Sequence, residues 1–359
     1  MPELPEVETI RRDLEQHLSG VRVAGVRVLR PEVVVGATPA ALDRALRGAR
    51  FHRFTRRGKY LIVEFARDGD GASRQDEPAG GRRWLVIHLR MTGRLTLARR
   101  QEPLPPHTHV IVELAGDPHR GPAESNPAGP VPWDELRFSD VRRFGRLYLL
   151  DKDPLEPGPR EAGRGAGAGR TGPVPGLQGL RTLGPEPLGP RFSAAELARR
   201  LEGRRAPIKA LLLDQRVVAG LGNIYADEAL FRARIHPGRP AGQLAGREVA
   251  RLVRAIRAVL REAVDAGGTT FSDYRDGLGR QGRFARRLAV YDRAGEPCPR
   301  CGTPIATLRL GGRTAHFCPR CQPASAPPDG GPRQRGAVHG PGEGPDRPAH
   351  AADEPAGAR

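Results

Sequence analysis

The chain has 359 residues, enough for roughly two or three domains, and carries 59 Lys+Arg against 41 Asp+Glu, a formal net charge of +18 and a pI of about 11.1. That balance points to a polyanionic partner, nucleic acid above all, and the charge is not in a tail, because residues 323–359 hold four Arg against five Asp/Glu. No apolar run is long enough to cross a bilayer and the acidic start lacks the apolar stretch of a secretory signal, so a cytoplasmic protein is expected.

The chain opens Met1-Pro2-Glu3-Leu4-Pro5-Glu6-Val7-Glu8. Removal of Met1 would leave Pro2 as a free secondary amine, and N-terminal amines titrate at about 7.7–8.0, well below lysine. Such an amine suits attack on a sugar aldehyde carbon and collapse to an iminium, with Glu3 and Glu6 near enough to act as acid or base. The same residues also read as a plain helix start whose glutamates favour the positive end of the helix dipole. A helix is predicted from Pro5 to about Leu18, with Val7, Ile10, Leu14 and Leu18 facing a core and Glu6 off that stripe, free to face outward.

Strand-like runs follow at 21–30, 49–55, 60–66, 84–89, 94–98, 109–115, 135–139 and 146–150, interrupted by a short helix at 39–47. They predict a sandwich or barrel of antiparallel strands flanked by helices. Stretches at about 68–82, 116–132 and 157–177 are low-complexity, rich in Gly, Pro, Arg and Glu, and read as surface insertions and a linker. Helices are predicted at about 193–202, 206–214, 223–233 and 246–266. The expected organisation is therefore α+β and multidomain: a β-sandwich domain over 1–156, a linker at 157–177, a helical domain over 178–284, a small strand-rich module over 285–322 and a disordered tail over 323–359.

Cys298-Pro-Arg-Cys301 and Cys318-Pro-Arg-Cys321 are the only cysteines, sixteen residues apart, a spacing suited to one closed tetrahedral zinc site. Between them, Ile305–Leu310 and Arg313–Phe317 flank Gly311-Gly312, the pattern of a tight hairpin with Arg313 at its tip. Gly220-Leu-Gly-Asn-Ile-Tyr225 separates two apolar helices. Asn223 reads as an ordinary N-cap, or the glycine-opened turn presents N–H groups to a phosphate, with Arg205 and Lys209 extending that surface. Met91 and Phe144 lie in loops beside Arg90 and Arg142-Arg143. Core packing is the plain reading, and a wedge filling the gap left by an extruded base is the other. Only Lys59, Lys152 and Lys209 are lysine among the 59 basic residues. Lysine that persists where arginine dominates is expected where a compact or titratable ammonium is needed.

Taken together, Pro2–Thr9, Arg57-Gly-Lys-Tyr60, His88–Gly93, Arg142-Arg-Phe-Gly145, Thr182–Leu188, Gly220–Leu230, Gly267-Gly-Thr-Thr270 and Gly295–Cys321 closely resemble the formamidopyrimidine-DNA glycosylase / endonuclease VIII family, in the same order and over roughly three quarters of the chain. The resemblance implies a β-sandwich, a helix–two-turns–helix domain and a zinc hairpin, with duplex DNA bound between them by a monomer. It implies a bifunctional glycosylase/AP lyase that removes oxidised purines and cuts at abasic sites. It further implies that Pro2 is the nucleophile, Glu3 the acid/base, Glu6 a supporting carboxylate, Lys59 a phosphate-contacting catalytic lysine and Arg313 an aid to the second elimination. By the same resemblance His107, Arg142, Arg205 and Asn223 hold DNA, with Lys209 and Tyr225 expected on the same surface, Met91, Arg142 and Phe144 fill the void, and residues 272–285 cap the flipped base. Asp292 stands where the family usually has glycine and Arg283 where an aromatic is common, which bears on the capping loop. An oxidised-pyrimidine enzyme and a non-catalytic DNA-binding zinc protein are the rival readings. Leu4 and the complete Met91/Arg142/Phe144 set favour the purine branch, and the intact Pro2-Glu3 favours an enzyme.

Overall fold

The computed structural model describes residues 1–67, 81–115, 133–156, 176–271 and 273–324. The expected insertions, the linker and the tail fall almost wholly outside the described residues. The first helix, α1 (Leu4–Leu18), begins one residue before the prediction, with Glu3 at its N-cap and Pro5 in its first turn. Val7, Ile10, Leu14 and Leu18 are each at most 1% exposed, and burying each contributes about 2 kcal/mol. Strands β1 (Arg22–Val28) and β2 (Val34–Val35), helix α2 (Pro39–Leu46), and strands β3 (Arg50–Arg57), β4 (Tyr60–Ala66), β5 (Arg83–His88), β6 (Gly93–Ala98), β7 (Thr108–Ala115), β8 (Glu135–Asp140) and β9 (Arg146–Leu150) follow.

The nine strands run in the order β2-β9-β5-β4-β3-β1-β7-β8-β6, with β3 and β1 joined through the single pair Arg22↔Arg50. One core takes inward side chains from both halves: Phe51, Leu61, Val63, Phe65, Leu85 and Ile87 on one side, Val23, Val26, Val110, Val112, Leu136 and Phe138 on the other. The period of two along each strand sends alternate side chains into this core, and in β4, β5 and β9 the other face is apolar as well. The result is a sandwich whose two layers stay connected along one edge. One detail differs from the all-antiparallel expectation. The unforeseen strand β2 pairs with β9 in parallel, a two-residue patch that follows the turn at Pro31–Val33 and covers the sheet edge.

Two loops cross between the layers at one end of the sandwich: 89–92 joins β5 to β6, and 141–145 joins β8 to β9. Because β5 neighbours β9 and β6 neighbours β8, these loops lie side by side although about fifty residues separate them.

The helical part comprises α3 (Gln178–Arg181), α4 (Ala194–Leu201), α5 (Ile208–Leu213), α6 (Asn223–Ala233) and α7 (Gly246–Asp265). Leu177 and Leu180, with Leu183 beside them, pack on Tyr60, Ile62, Val86 and Tyr148 of the sheet's outer face, so the start of this part leans on the sandwich. Leu4 does the reverse: it leaves the first domain's core and packs among the apolar residues of α4–α7. Strands β10 (Ala306–Leu310) and β11 (Arg313–Phe317) form the hairpin, with Gly311 and Gly312 both at positive φ. This module packs on Phe231 of α6 through Val290, Cys298, Ile305 and Cys318, and Glu228 ties it down by accepting the N–H groups of Ala289, Val290 and Tyr291. Asp292 adopts φ +60°, which accounts for the glycine the resemblance leads one to expect there.

Candidate active site

The start of α1 is buried where the two domains meet. Glu3 Oε1 accepts the N–H of Ile224 in the first turn of α6 at 3.1 Å, and Leu4 N–H donates to Gly220 O at 3.0 Å. A Cβ at Gly222 would approach Glu3 Cδ to 2.3 Å, and one at Gly220 would approach Leu4 Cβ to 2.8 Å. The glycines of the 220–225 turn are thus required for close approach of the chain start. Two N–H groups of this turn are already taken, that of Gly220 by Gln215 Oε1 at 2.8 Å and that of Ile224 by Glu3. Asn223 is not the N-cap. Gly222 holds that position, and Asn223 Nδ2 donates to Thr314 O of β11 at 3.2 Å.

Glu6 does not face outward as the helical stripe suggested. It is 1% exposed, accepts Glu3 N–H at 2.8 Å, Thr269 N–H at 2.7 Å and the Tyr225 hydroxyl, while Tyr274 donates to its backbone oxygen at 3.3 Å. Burial pushes the Glu6 carboxyl above the ordinary range, against the pull of those three donors. Tyr225, expected on the DNA surface, is fully buried under Glu6 and also hydrogen-bonds Thr269 at 2.8 Å. Lys209 is likewise enclosed. Its ammonium pairs with Asp227 at 2.7 Å and donates to Thr314 O at 2.7 Å, so it braces β11 and offers no charge to a phosphate. Helical periodicity could not show either fact, because both side chains are covered by another domain.

Glu3 is 2% exposed and burial pushes it up to about 7, against the positive charge of Lys59, whose field lowers it. Its Oε2 has no hydrogen-bond partner among the described residues. Lys59, in the β3–β4 turn, is 7% exposed. Burial pulls its ammonium below the lysine range, Glu3 and Glu6 oppose that, and the positive charge of Arg313 adds to it. The chain start, a β-turn and the hairpin therefore place Glu3, Lys59 and Arg313 in one electrostatic environment. A carboxyl poised near neutrality beside a depressed ammonium can give and take protons at one carbon centre.

A small cleft beside Glu6 is lined by Pro2, Met91, Thr269, Phe271 and Tyr274, which brings the Met91 loop to the chain start. Arg142 and Phe144 stand on the neighbouring loop, Phe144 54% exposed. His107 is exposed in a left-handed turn (φ +63°), and Arg205 is exposed on the helical domain. Thr269 was missed as a site residue although it lies in the Gly267–Thr270 match, and Tyr274, inside the expected capping loop 272–285, was not singled out.

The four cysteine sulfurs lie within 4.8 Å of one another, with Cys301–Cys318 and Cys301–Cys321 at 3.5 Å and Cys298–Cys321 at 4.0 Å. Tetrahedral ligands about 2.3 Å from zinc stand about 3.8 Å apart, so the donor set fits that ion.

Three family models match the chain: the formamidopyrimidine-DNA glycosylase N-terminal domain over residues 1–147, the formamidopyrimidine-DNA glycosylase H2TH domain over 183–275, and the zinc finger found in FPG and IleRS over 295–324. The formamidopyrimidine-DNA glycosylase of Symbiobacterium thermophilum is 46% identical over 90% of this chain and 90% of its own. That of Moorella thermoacetica is 48% identical over 86% of this chain and 95% of its own. Among solved structures, the Lactococcus lactis Fpg in complex with DNA containing an abasic site superposes with a TM-score of 0.71 at 32% identity, covering 90% of this chain and all of that one. The MutM (Fpg) protein of Thermus thermophilus gives 0.67 at 40% identity, covering 89% and 98%.

Proposed function

This chain belongs to the formamidopyrimidine-DNA glycosylase family, and from that premise we propose that it is a bifunctional DNA glycosylase and abasic-site lyase acting on oxidised purines, 8-oxoguanine and formamidopyrimidines, in duplex DNA. With Met1 removed, the Pro2 amine attacks C1′ of the damaged nucleotide and the base leaves with the glycosidic electron pair and a proton. The resulting iminium draws electrons, so loss of a C2′ proton expels the 3′ phosphate, and a second elimination expels the 5′ phosphate. Glu3 carries protons in these steps, Lys59 and Arg313 stabilise phosphate, and Glu6, locked by Tyr225 and Thr269, fixes the chain start. Met91, Arg142 and Phe144 fill the place of the extruded base, while His107, Arg205 and Asn223 line the path of the duplex. One zinc ion held by the four cysteines would keep the Arg313 hairpin rigid, and the protein works as a cytoplasmic monomer.

The observation that carries this reading is the buried Glu3 carboxyl beside Lys59, its Oε2 without a hydrogen-bond partner among the described residues and its proton held by burial up to about 7. Borohydride added to Met1-trimmed protein and an 8-oxoguanine duplex is expected to trap a covalent adduct through Pro2. An uncrosslinked protein under those conditions would eliminate the enzyme reading in favour of a non-catalytic DNA-binding protein. A second reading has support as well, since the Lactococcus relative has also been solved with DNA containing an oxidised pyrimidine. Faster trapping on thymine glycol than on 8-oxoguanine would assign the chain to that branch.

A further inference from the structure

Asp140 has no place in the chemistry above, yet it is 1% exposed and sits at the junction of the two loops that cross the end of the sandwich. It ends β8 opposite Gly93, the first residue of β6. One carboxylate oxygen, Oδ1, accepts the hydroxyl of Thr92 from the first loop and the N–H of Arg142 from the second at 3.2 Å, an N–H it shares with Thr92 Oγ1 at 3.2 Å. The other, Oδ2, accepts Gly145 N–H at 2.7 Å where the second loop closes. The Asp140 backbone oxygen takes Arg143 N–H at 3.2 Å and bonds the buried His109 ring at 2.7 Å. One side chain thus spans both loops and both ends of one of them.

The loops need such a fastening. Arg90 and Arg143 both adopt left-handed backbone (φ +57° and +56°), which non-glycine residues hold only when their surroundings enforce it. The loops also display apolar side chains to solvent: Val141 is 52% exposed and Phe144 54%, with no core contact to fix them. Gly145 has no room for a side chain, since a Cβ there would come 2.7 Å from Phe138 Cζ and 3.1 Å from Asp140 Oδ2.

We propose that Asp140 is a positioning residue that joins the Met91 loop to the Arg142–Phe144 loop, so that the three void-filling side chains enter the duplex as one rigid unit. The assignment rests on the reading of those side chains given above. An ionised carboxylate, with about four acceptor sites and no donor, serves a hydroxyl and two backbone N–H groups at once. An asparagine of the same shape would turn an N–H2 toward one of them.

The test uses the full-length, zinc-containing, Met1-trimmed protein and a duplex in which 2-aminopurine neighbours a tetrahydrofuran abasic analogue, so that wedge entry unstacks the probe and raises its fluorescence. Asp140→Asn is expected to slow that signal about tenfold, and the milder Thr92→Val, which removes only the hydroxyl, about threefold. With Met91→Ala, Arg142→Ala and Phe144→Ala already in place, Asp140→Asn should change 8-oxoguanine excision by less than about twofold, because the side chains it orients are gone. An equal loss in both backgrounds would mean that Asp140 serves the fold at large, and a signal unaltered by either substitution would mean that the loops hold without it. Each result overturns the assignment while the glycosylase reading stands. A wild-type protein that gives no signal at all defeats the wedge reading and the assignment together.

Discussion

Replacing Glu3 by Gln should trade activity for stability in a pH-dependent way. In the folded chain the Glu3 carboxyl titrates at about 7, against 4.5 for a solvated one, because burial disfavours its charge. The unfolded chain therefore releases this proton first as pH rises. Folding stability falls through the window from 4.5 to 7 and stays low above it. The full difference of 2.5 units corresponds to about 3 kcal/mol at pH 8, of which about 1.4 is already lost at pH 5.5. Glutamine cannot ionise and can still accept the Ile224 N–H, so Glu3→Gln escapes this cost. Its advantage over the wild type should grow by about 2 kcal/mol from pH 5.5 to pH 8, or several degrees in Tm. The figure is an upper value, because Lys59 then keeps only Glu6 as a nearby negative charge. Calorimetric melting of both proteins across that range, with single-turnover excision measured alongside, provides the assay. Parallel Tm curves would refute the claim that Glu3 is held protonated by burial, whatever happens to activity.

Three further perturbations probe the same site. Gly222→Ala would place a methyl 2.3 Å from Glu3 Cδ and 2.4 Å from its Oε1, and should reduce excision about a hundredfold while DNA affinity, measured by fluorescence anisotropy, stays within about threefold. Lys59→Arg keeps the charge but enlarges the group and removes its ability to titrate. DNA binding should persist while excision slows at least about tenfold, and an unchanged turnover would remove the argument from lysine scarcity. Chelation should release one zinc per chain, measured by a metallochromic dye, and weaken DNA binding as the hairpin loses its pin. Retention of full affinity after metal loss would show that Glu228 and Phe231 hold the module unaided.

Most elements could be read from the chain to within a residue or two. The stripe from Val7 to Leu18 reports a single buried face, while the continuous apolar run at 60–66 belongs to a strand buried on both faces. What periodicity does not report is a second burial. Glu6 lies off the apolar stripe of its helix, and Tyr225 and Lys209 were expected to face DNA, yet each is closed over by an element distant in sequence. The turn at Gly220–Tyr225 was found for its glycines, but their cause, the approach of Glu3 and Leu4, lies more than two hundred residues upstream. Asp140 carries no motif signal of its own, because its link to Thr92, 48 residues away, is made by the strand order and not by the local turn that supplies Arg142 and Gly145.

The pinning of Leu4 into the helical core has a consequence for how the chain matures on the ribosome. The residues that enclose the chain start, from Gly220 to Tyr274, are made after more than half of the protein. At a synthesis rate of about 5–20 residues per second, on the order of ten to fifty seconds pass before they emerge. Throughout that interval Met1 and Pro2 have no pocket to enter and stay open to processing enzymes. On the proposed mechanism these late-made partners act as a timer: trimming comes first, and completion of the fold then closes over Glu3 and Leu4 behind the new terminus.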